Sequence, residues 1–149
     1  MKNLFQSECA NEILQRIDRL TPQTQRQWGR MDVAQMLAHC AVTMEVATDQ
    51  KYLPWAFIGK ILGRFFRSSF IGEKPVPKNS PTNPAFLMTG QHDFLAEKER
   101  LKKLVRQFFE GGESKCTKHP HSFFGPLTAV EWATGMYKHL DHHLRQFGV

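Results

Sequence analysis

Apolar residues recur at helical spacing along most of the chain, and no segment of convincing length alternates as a strand would. The first predicted helix begins at Ser7 and ends before Thr21-Pro22, because the residue before a proline avoids the helical region. The second runs over about residues 32–48, where Asp32 and Gln35 have the spacing of a capping box. Its predicted core-facing positions are Val33, Met36, Leu37, Cys40, Met44 and Ala47.

Two more main helices are predicted in the second half of the chain. Helical periodicity returns over residues 91–110 and is closed by Gly111-Gly112. Thr128 and Glu131 form a second capping box, and the last helix follows it to about residue 146 or 147. The sequence therefore predicts an all-α fold with four main helices.

The segment 53–71 is predicted to form a shorter extra helix, with Pro54 in its first turn. Its apolar residues favour a helix that covers the core or makes a dimer contact. Because Lys60, Arg64 and Arg67 share the segment with aromatic residues, an interfacial membrane helix is the alternative. This helix and the proline-rich stretch after it form a long connection between the second and third main helices, over residues 49–90.

Length and composition limit the class of protein. A chain of 149 residues fits one domain, 1–149, and its three cysteines form no C-x-x-C pair. The N-terminus has no apolar signal region, and no charge-free run is long enough for a membrane span, so we expect a cytoplasmic protein. The net charge of +6 permits nucleic-acid contact, but the basic residues are spread over several helices, and we predict no nucleic-acid partner.

The seven histidines change this picture, because two of them share the inward face of the last helix. His139 and His143 are four residues apart, so their side chains point the same way and are suited to bind one divalent metal. His39, beside the core positions of the second helix, is the natural third ligand. Three protein ligands would leave a coordination position open for water or substrate.

Other polar residues near this pair are weaker candidates for catalysis. The pair is not the zincin motif, since Leu140 stands where that motif has Glu. His121, Tyr137 and Asp141 are candidate catalytic residues, and none is singled out as the general base. The remaining histidines are expected to lie at the mouth of the site (His119, with His121) or at the surface (His92, His142).

Several segments carry a resemblance to a known family: WGRMDVAQMLAHC over 28–40, His119-Pro120, FGPLT over 124–128, and YKHLDHHLRQFG over 137–148. The chain resembles the DinB/YfiT-like superfamily, and within it a branch classed as a domain of unknown function. The resemblance implies a DinB-like four-helix bundle with a long crossover between its second and third helices. It also implies a zinc or nickel ion held by three histidines, which here are His39, His139 and His143.

Characterised members of that superfamily include transferases and isomerases that use low-molecular-weight thiols. Our leading hypothesis is therefore a metal-dependent enzyme, a hydrolase or a thiol S-transferase, that activates water or such a thiol for a small-molecule substrate. In this hypothesis Lys60, Arg64 and Arg67 would attract an anionic thiol. The alternative is a non-catalytic, stress-associated module that binds metal or forms a homodimer through residues 55–70.

Overall fold

The computed structural model describes residues 1–149 and contains five α-helices, one short 3-10 helix and no β-strand. The all-α fold class is confirmed. Four helices correspond to the predicted main helices, and α3 lies in the long connection together with the 3-10 helix. The bounds are α1 Ser7–Asp18, α2 Val33–Ala47, α3 Phe57–Ile71, the 3-10 helix Pro84–Phe86, α4 Phe94–Lys115 and α5 Ala129–Gln146.

Both predicted capping boxes are present, and they fix where α2 and α5 begin. The Asp32 carboxylate accepts from the Gln35 backbone N–H at 2.8 Å, and the Gln35 side chain accepts from the Asp32 N–H at 3.1 Å. Thr128 and Glu131 make the same reciprocal pair at 3.2 and 2.8 Å. Each pair satisfies two backbone donors that a helix start leaves free. The capping boxes thereby fix, from the first turn onward, the direction in which the side chains of the two histidine-bearing helices point.

Helix α2 is the centre of the core. Thirteen of its 15 residues are buried, and it packs against both α4 and α5. Helix α1 packs against the same two helices. Since α2 is covered almost all round, a polar residue beside its predicted core positions is buried as well, and His39 is such a residue.

Three details differ from the sequence prediction. Helix α3 begins at Phe57, so Pro54 precedes the helix and is not in its first turn. At 15 residues α3 is also as long as α2, not shorter. Helix α4 does not end at the glycine pair: Gly112 takes a φ of 57° and breaks the regular helix, and one more helical turn reaches Lys115.

Helix α3 packs on the protein through glycines instead of through its large apolar side chains. Gly59 and Gly63 lie against the backbone of Phe123, and a Cβ on either would collide with it. Phe70 is the one large side chain that α3 buries, against Gly135 of α5. Of the two expectations for this segment, coverage of its apolar residues by the core is wrong within a single chain, and the dimer contact stays a prediction.

None of the helices combines the length and the apolar character needed to cross a lipid bilayer.

Candidate metal centre

Helices α2 and α5 bring three histidines together inside the protein. His39, His139 and His143 each offer a ring nitrogen, and these three atoms lie within 4.8 Å of one another. The ring centroids are 4.7 to 5.0 Å apart. The i, i+4 spacing on α5 accounts for one pair, and contact between α2 and α5 supplies the third ring.

The His39 ring is held by the connection that follows α3. Its Nδ1–H donates to the Phe86 carbonyl at 2.8 Å, at the end of the short 3-10 helix. Because a carbonyl only accepts, this bond places the proton of a neutral imidazole on Nδ1 and leaves the Nε2 lone pair free. A ligating histidine ordinarily has its second nitrogen anchored in this way.

His143 is anchored by a residue one turn further along α5. Its Nδ1–H donates to the Gln146 side-chain oxygen at 2.9 Å, and the Gln146 amide nitrogen donates to the Trp28 carbonyl at 2.7 Å. The second bond fixes which end of the amide faces the histidine. His143 therefore also keeps its Nε2 lone pair free.

His139 supplies the observation that most favours a bound cation. Its Nε2 atom is buried and has no hydrogen-bond partner. An unsatisfied buried polar atom costs about 1–3 kcal/mol, and the groups that surround this one are two more histidines with free lone pairs. A metal ion shared by the three rings would satisfy His139 Nε2, and so the donor set fits a divalent cation that prefers imidazole.

The electrostatics keep these rings neutral. Burial lowers the pKa of His139 well below 6.5, and the charges of His143 and His39 would lower it further. Burial is the main cause that lowers the pKa of His143 to about 3, and the charge of His39 acts in the same direction. Burial is also the main cause of the lowered pKa of His39. Since only a deprotonated imidazole nitrogen binds metal, all three are ready ligands at neutral pH.

Gln146 offers a direct test of this arrangement. In Gln146→Leu the His143 ring loses the acceptor that orients it, so we expect the dissociation constant for zinc to rise about 10–100-fold. Competition with a chromophoric chelator measures that constant. Gln50→Leu is the matched control, because Gln50 is exposed and bonds only with surface groups. An affinity unchanged in Gln146→Leu would contradict the role given to this hydrogen bond.

His121 lies at the same end of the protein, in the turn that α3 covers. Its Nδ1 accepts from the backbone N–H groups of Phe123 and Phe124, at 3.0 and 3.2 Å. These bonds place the proton of the neutral ring on Nε2. Burial lowers the pKa of His121 to about 4, and a charge on His121 would lower the pKa of His139. The residue is therefore a neutral N–H donor close to the histidine cluster.

The other two catalytic candidates are engaged elsewhere. The Tyr137 hydroxyl donates to the Glu12 carboxylate at 3.1 Å, and Asp141 accepts from Arg16 at 2.8 Å. Arg16 is buried and also donates to the Val149 carbonyl, so these contacts tie α1 to α5 and to the end of the chain. Their geometry favours a structural role for both residues. Of the three candidates, only His121 is among the groups whose charge would lower the pKa of His139.

The remaining histidines are distributed differently from the prediction. His142 is buried between Trp28 and His143, so its assignment to the surface is wrong. His119 is exposed and stands beside Tyr52 and Asp49. His92 is half-buried, 3.7 Å from a carboxylate oxygen of Glu97.

Two anchoring groups escaped the sequence analysis. The i, i+3 spacing from His143 is a signal that could have identified Gln146, since such residues are neighbours on a helix. The Phe86 carbonyl has no signal in the sequence, because any residue there would present one.

All three cysteines are free and buried, and burial raises the pKa of the Cys40 thiol, which does not favour a thiolate ligand beside His39.

Fold and site together define an all-helical protein with an inward-facing three-histidine cluster that could hold a metal ion. The chain belongs to the family described as "Protein of unknown function (DUF1569)", whose model matches residues 2–148. No curated protein and no solved structure is detectably similar to it.

Proposed function

We propose that the protein is a cytoplasmic metal-dependent enzyme of the DinB/YfiT-like superfamily. In this proposal His39, His139 and His143 hold zinc or nickel, and the site activates water or a low-molecular-weight thiol for reaction with a small-molecule substrate. A divalent cation bound there would supply charge that lowers the pKa of the water or the thiol. The observation that carries the proposal is the buried, unpartnered Nε2 of His139 among two histidines with free lone pairs.

The neutral donor set supports an activating role. Three imidazoles bring no negative charge, so a bound cation would keep its full charge for the nucleophile. Three protein ligands also leave room for an exchangeable one, whereas structural zinc sites are closed by four.

His121 is the residue to which we assign a catalytic role beside the metal. Its Nδ1 is occupied by two backbone donors, so it is unsuited to accept a proton there. With its proton on Nε2 and its pKa lowered to about 4, it would donate a hydrogen bond to a negatively charged oxygen or sulfur of the reacting group. A neutral imidazole with a lowered pKa is an established form of electrophilic catalyst.

The basic residues of α3 give the thiol hypothesis less support than expected. Arg67 is paired with Glu131 at 2.6 Å, so its charge is already compensated. Lys60 lies over the Trp55 ring and Arg64 over the Phe65 ring, on the exposed part of α3. An anionic thiol would therefore be recognised mainly by groups at the metal centre itself.

Cobalt substitution tests the proposal. The cobalt-loaded protein should take up about one ion per chain, and its visible spectrum should change when azide is added, since azide reports an exchangeable coordination position. A new near-ultraviolet band on addition of glutathione or cysteine is expected for the thiol-dependent form. Metal-free protein with the same thiols is the control.

The outcomes separate the candidate functions. A response to azide without a response to thiols would favour the hydrolase form. Bound cobalt that responds to neither would favour the alternative, a non-catalytic module that binds metal or forms a homodimer. Failure to bind cobalt, zinc or nickel at neutral pH would contradict the proposal as a whole.

A further inference from the structure

Helix α3 presents a continuous apolar surface to solvent. Six large apolar side chains on it are between 38 and 77 % exposed. At 100° per residue, four of them lie opposite the glycines that pack on Phe123, whereas Leu62 lies on the flank. Phe66 lies beside the glycines, with its ring centroid 6.4 Å from that of Phe123. We call this surface the apolar face of α3, and it consists of Phe57, Ile58, Ile61, Leu62, Phe65 and Phe66.

The packing of α3 holds this face outward. Gly59 and Gly63 are so close to the Phe123 backbone that no side chain fits between them, and rolling the helix would drive larger residues into that contact. At the other end, Lys138 donates to the Ser69 and Gly72 carbonyls at 2.7 and 2.5 Å. The apolar face is thus a fixed feature of the fold. Burying it requires a partner outside the chain.

The charged residues of the segment that carries this face all have one sign. Residues 50–72 contain four basic residues and no Asp or Glu. Lys60 and Arg64 are exposed and project along one edge of the apolar face, with Lys60 5.8 Å from the centroid of the Trp55 ring. Arg67, on the same side, is already paired with Glu131. Two cations along the edge are therefore free to meet an anionic surface.

We propose that the apolar face of α3 docks into the headgroup region of an anionic lipid bilayer, with Lys60 and Arg64 against lipid phosphates and carboxylates. A helix with an apolar face, flanking cations and no acidic residue is the arrangement of helices that lie in the membrane interface. Insertion of about 5–10 Å covers such a face without any spanning segment. The length of α3 does not limit this mode of binding.

A second copy of the chain is a poorer occupant. In a twofold contact the face would pair with itself and would offer no carboxylate to Lys60 or Arg64. A helix of 15 residues is about 22 Å long and about 10 Å wide, which gives a footprint of about 220 Å². A stable protein interface usually buries about 800 Å² on each partner. A bilayer meets both conditions, since it is anionic and extends beyond the helix.

Flotation of the full-length protein with lipid vesicles tests this proposal. We expect binding to vesicles of phosphatidylcholine with about one third phosphatidylserine, and weaker binding to phosphatidylcholine alone. Raising the ionic strength from about 0.01 M to about 0.15 M should weaken binding to the anionic vesicles, because the Debye length falls from about 30 Å to about 8 Å.

Two pairs of substitutions separate the apolar and electrostatic parts. Phe57→Ser with Phe65→Ser should lower the partition coefficient at least about tenfold, as the transfer energies of buried side chains indicate. Lys60→Glu with Arg64→Glu should lower it at least about 25-fold on anionic vesicles, since each cation near such a surface contributes about fivefold. Leu95→Ser and Lys103→Glu, on the exposed surface of α4, are the matched controls.

The mass of the protein in solution distinguishes docking on a bilayer from the competing occupant, a second copy of the chain. Wild-type protein that does not float, or a Leu95→Ser loss as large as that of the α3 variants, would overturn the proposal. So would a dimer, detected by sedimentation equilibrium, that the Phe57→Ser and Phe65→Ser pair converts to monomer without any vesicle binding. Because these readouts need no metal, they succeed or fail independently of the proposed enzyme activity.

Discussion

Replacement of His143 by alanine is expected to weaken zinc binding by at least about a hundredfold. Structural zinc sites with four ligands bind with about 10–16 kcal/mol at neutral pH, so one ligand contributes about 3–4 kcal/mol, a factor of about 100–1,000. His39→Ala should cause a loss of the same order, because its ring contributes one of the three donors. The measurement is competition with a chromophoric chelator, together with the metal content of tag-free protein.

His119→Ala is the matched control for this experiment, since His119 is exposed and its nearest charged group is Asp49. It should leave zinc affinity unchanged. Circular dichroism of each metal-free variant establishes that it folds, so that lost affinity is not lost structure. Metal content that stays near one ion per chain in both His39→Ala and His143→Ala would contradict the three-histidine centre.

The histidine pair on α5 could be predicted because its placement depends on local geometry. Helical spacing placed His139 and His143 on one face, and burial of that face followed from the apolar residues that share it. His39 required a tertiary assumption, that α2 would face α5. That assumption succeeded because α2 is covered on nearly every side, so the His39 ring lies in the core.

The predictions that failed concern tertiary contacts between distant segments. Gly59 and Gly63 read locally as residues that weaken a helix, yet they are the contact surface of α3 against Phe123. His142 projects away from the ligand pair on α5, and only the return of residues 28 and 76 over it makes it buried. A helical period gives the direction of a side chain, but not which segment of the chain will cover it.

The same distinction explains why the predicted capping boxes are correct and the predicted C-terminal end of α4 is wrong. A capping box is a contact within four residues, so the two hydrogen bonds of each box could be predicted from Asp32 and Gln35, and from Thr128 and Glu131, alone. Gly112 was expected to end the helix, and it does interrupt the regular backbone. The extra turn that leads to Cys116 depends on where the chain must go next, and Thr117 bonds to the Ala47 carbonyl at the end of α2.

Acid is expected to unfold the metal-free protein at a pH where its carboxylates are still ionised. The pKa of His143 is lowered to about 3 and that of His121 to about 4, whereas in the unfolded chain both return to about 6.5. Between these values the unfolded state binds more protons than the folded state. Stability is therefore fully present above about pH 6.5 and is lost as the pH falls below it.

The expected loss is large compared with the stability of a domain. From about pH 6.5 to about pH 5, each of these two histidines lowers the free energy of unfolding by about 2 kcal/mol. The total free energy of unfolding of a domain is about 5–15 kcal/mol. The pKa values of His39, His139 and His142 are lowered too, so these residues act in the same direction. We expect urea midpoints of the metal-free protein to fall steeply over this range.

Two controls identify the histidines as the cause. The lowered pKa values of the Glu12 and Glu131 carboxyls, with ordinary values near 4.5, produce a loss of stability only at lower pH. Saturating zinc should displace the onset of the loss to lower pH, because protons and metal compete for the same nitrogens. Urea midpoints that stay constant between about pH 6.5 and about pH 5 in metal-free protein would show that the rings are already protonated or solvated in the fold, and that they do not form a buried, neutral cluster.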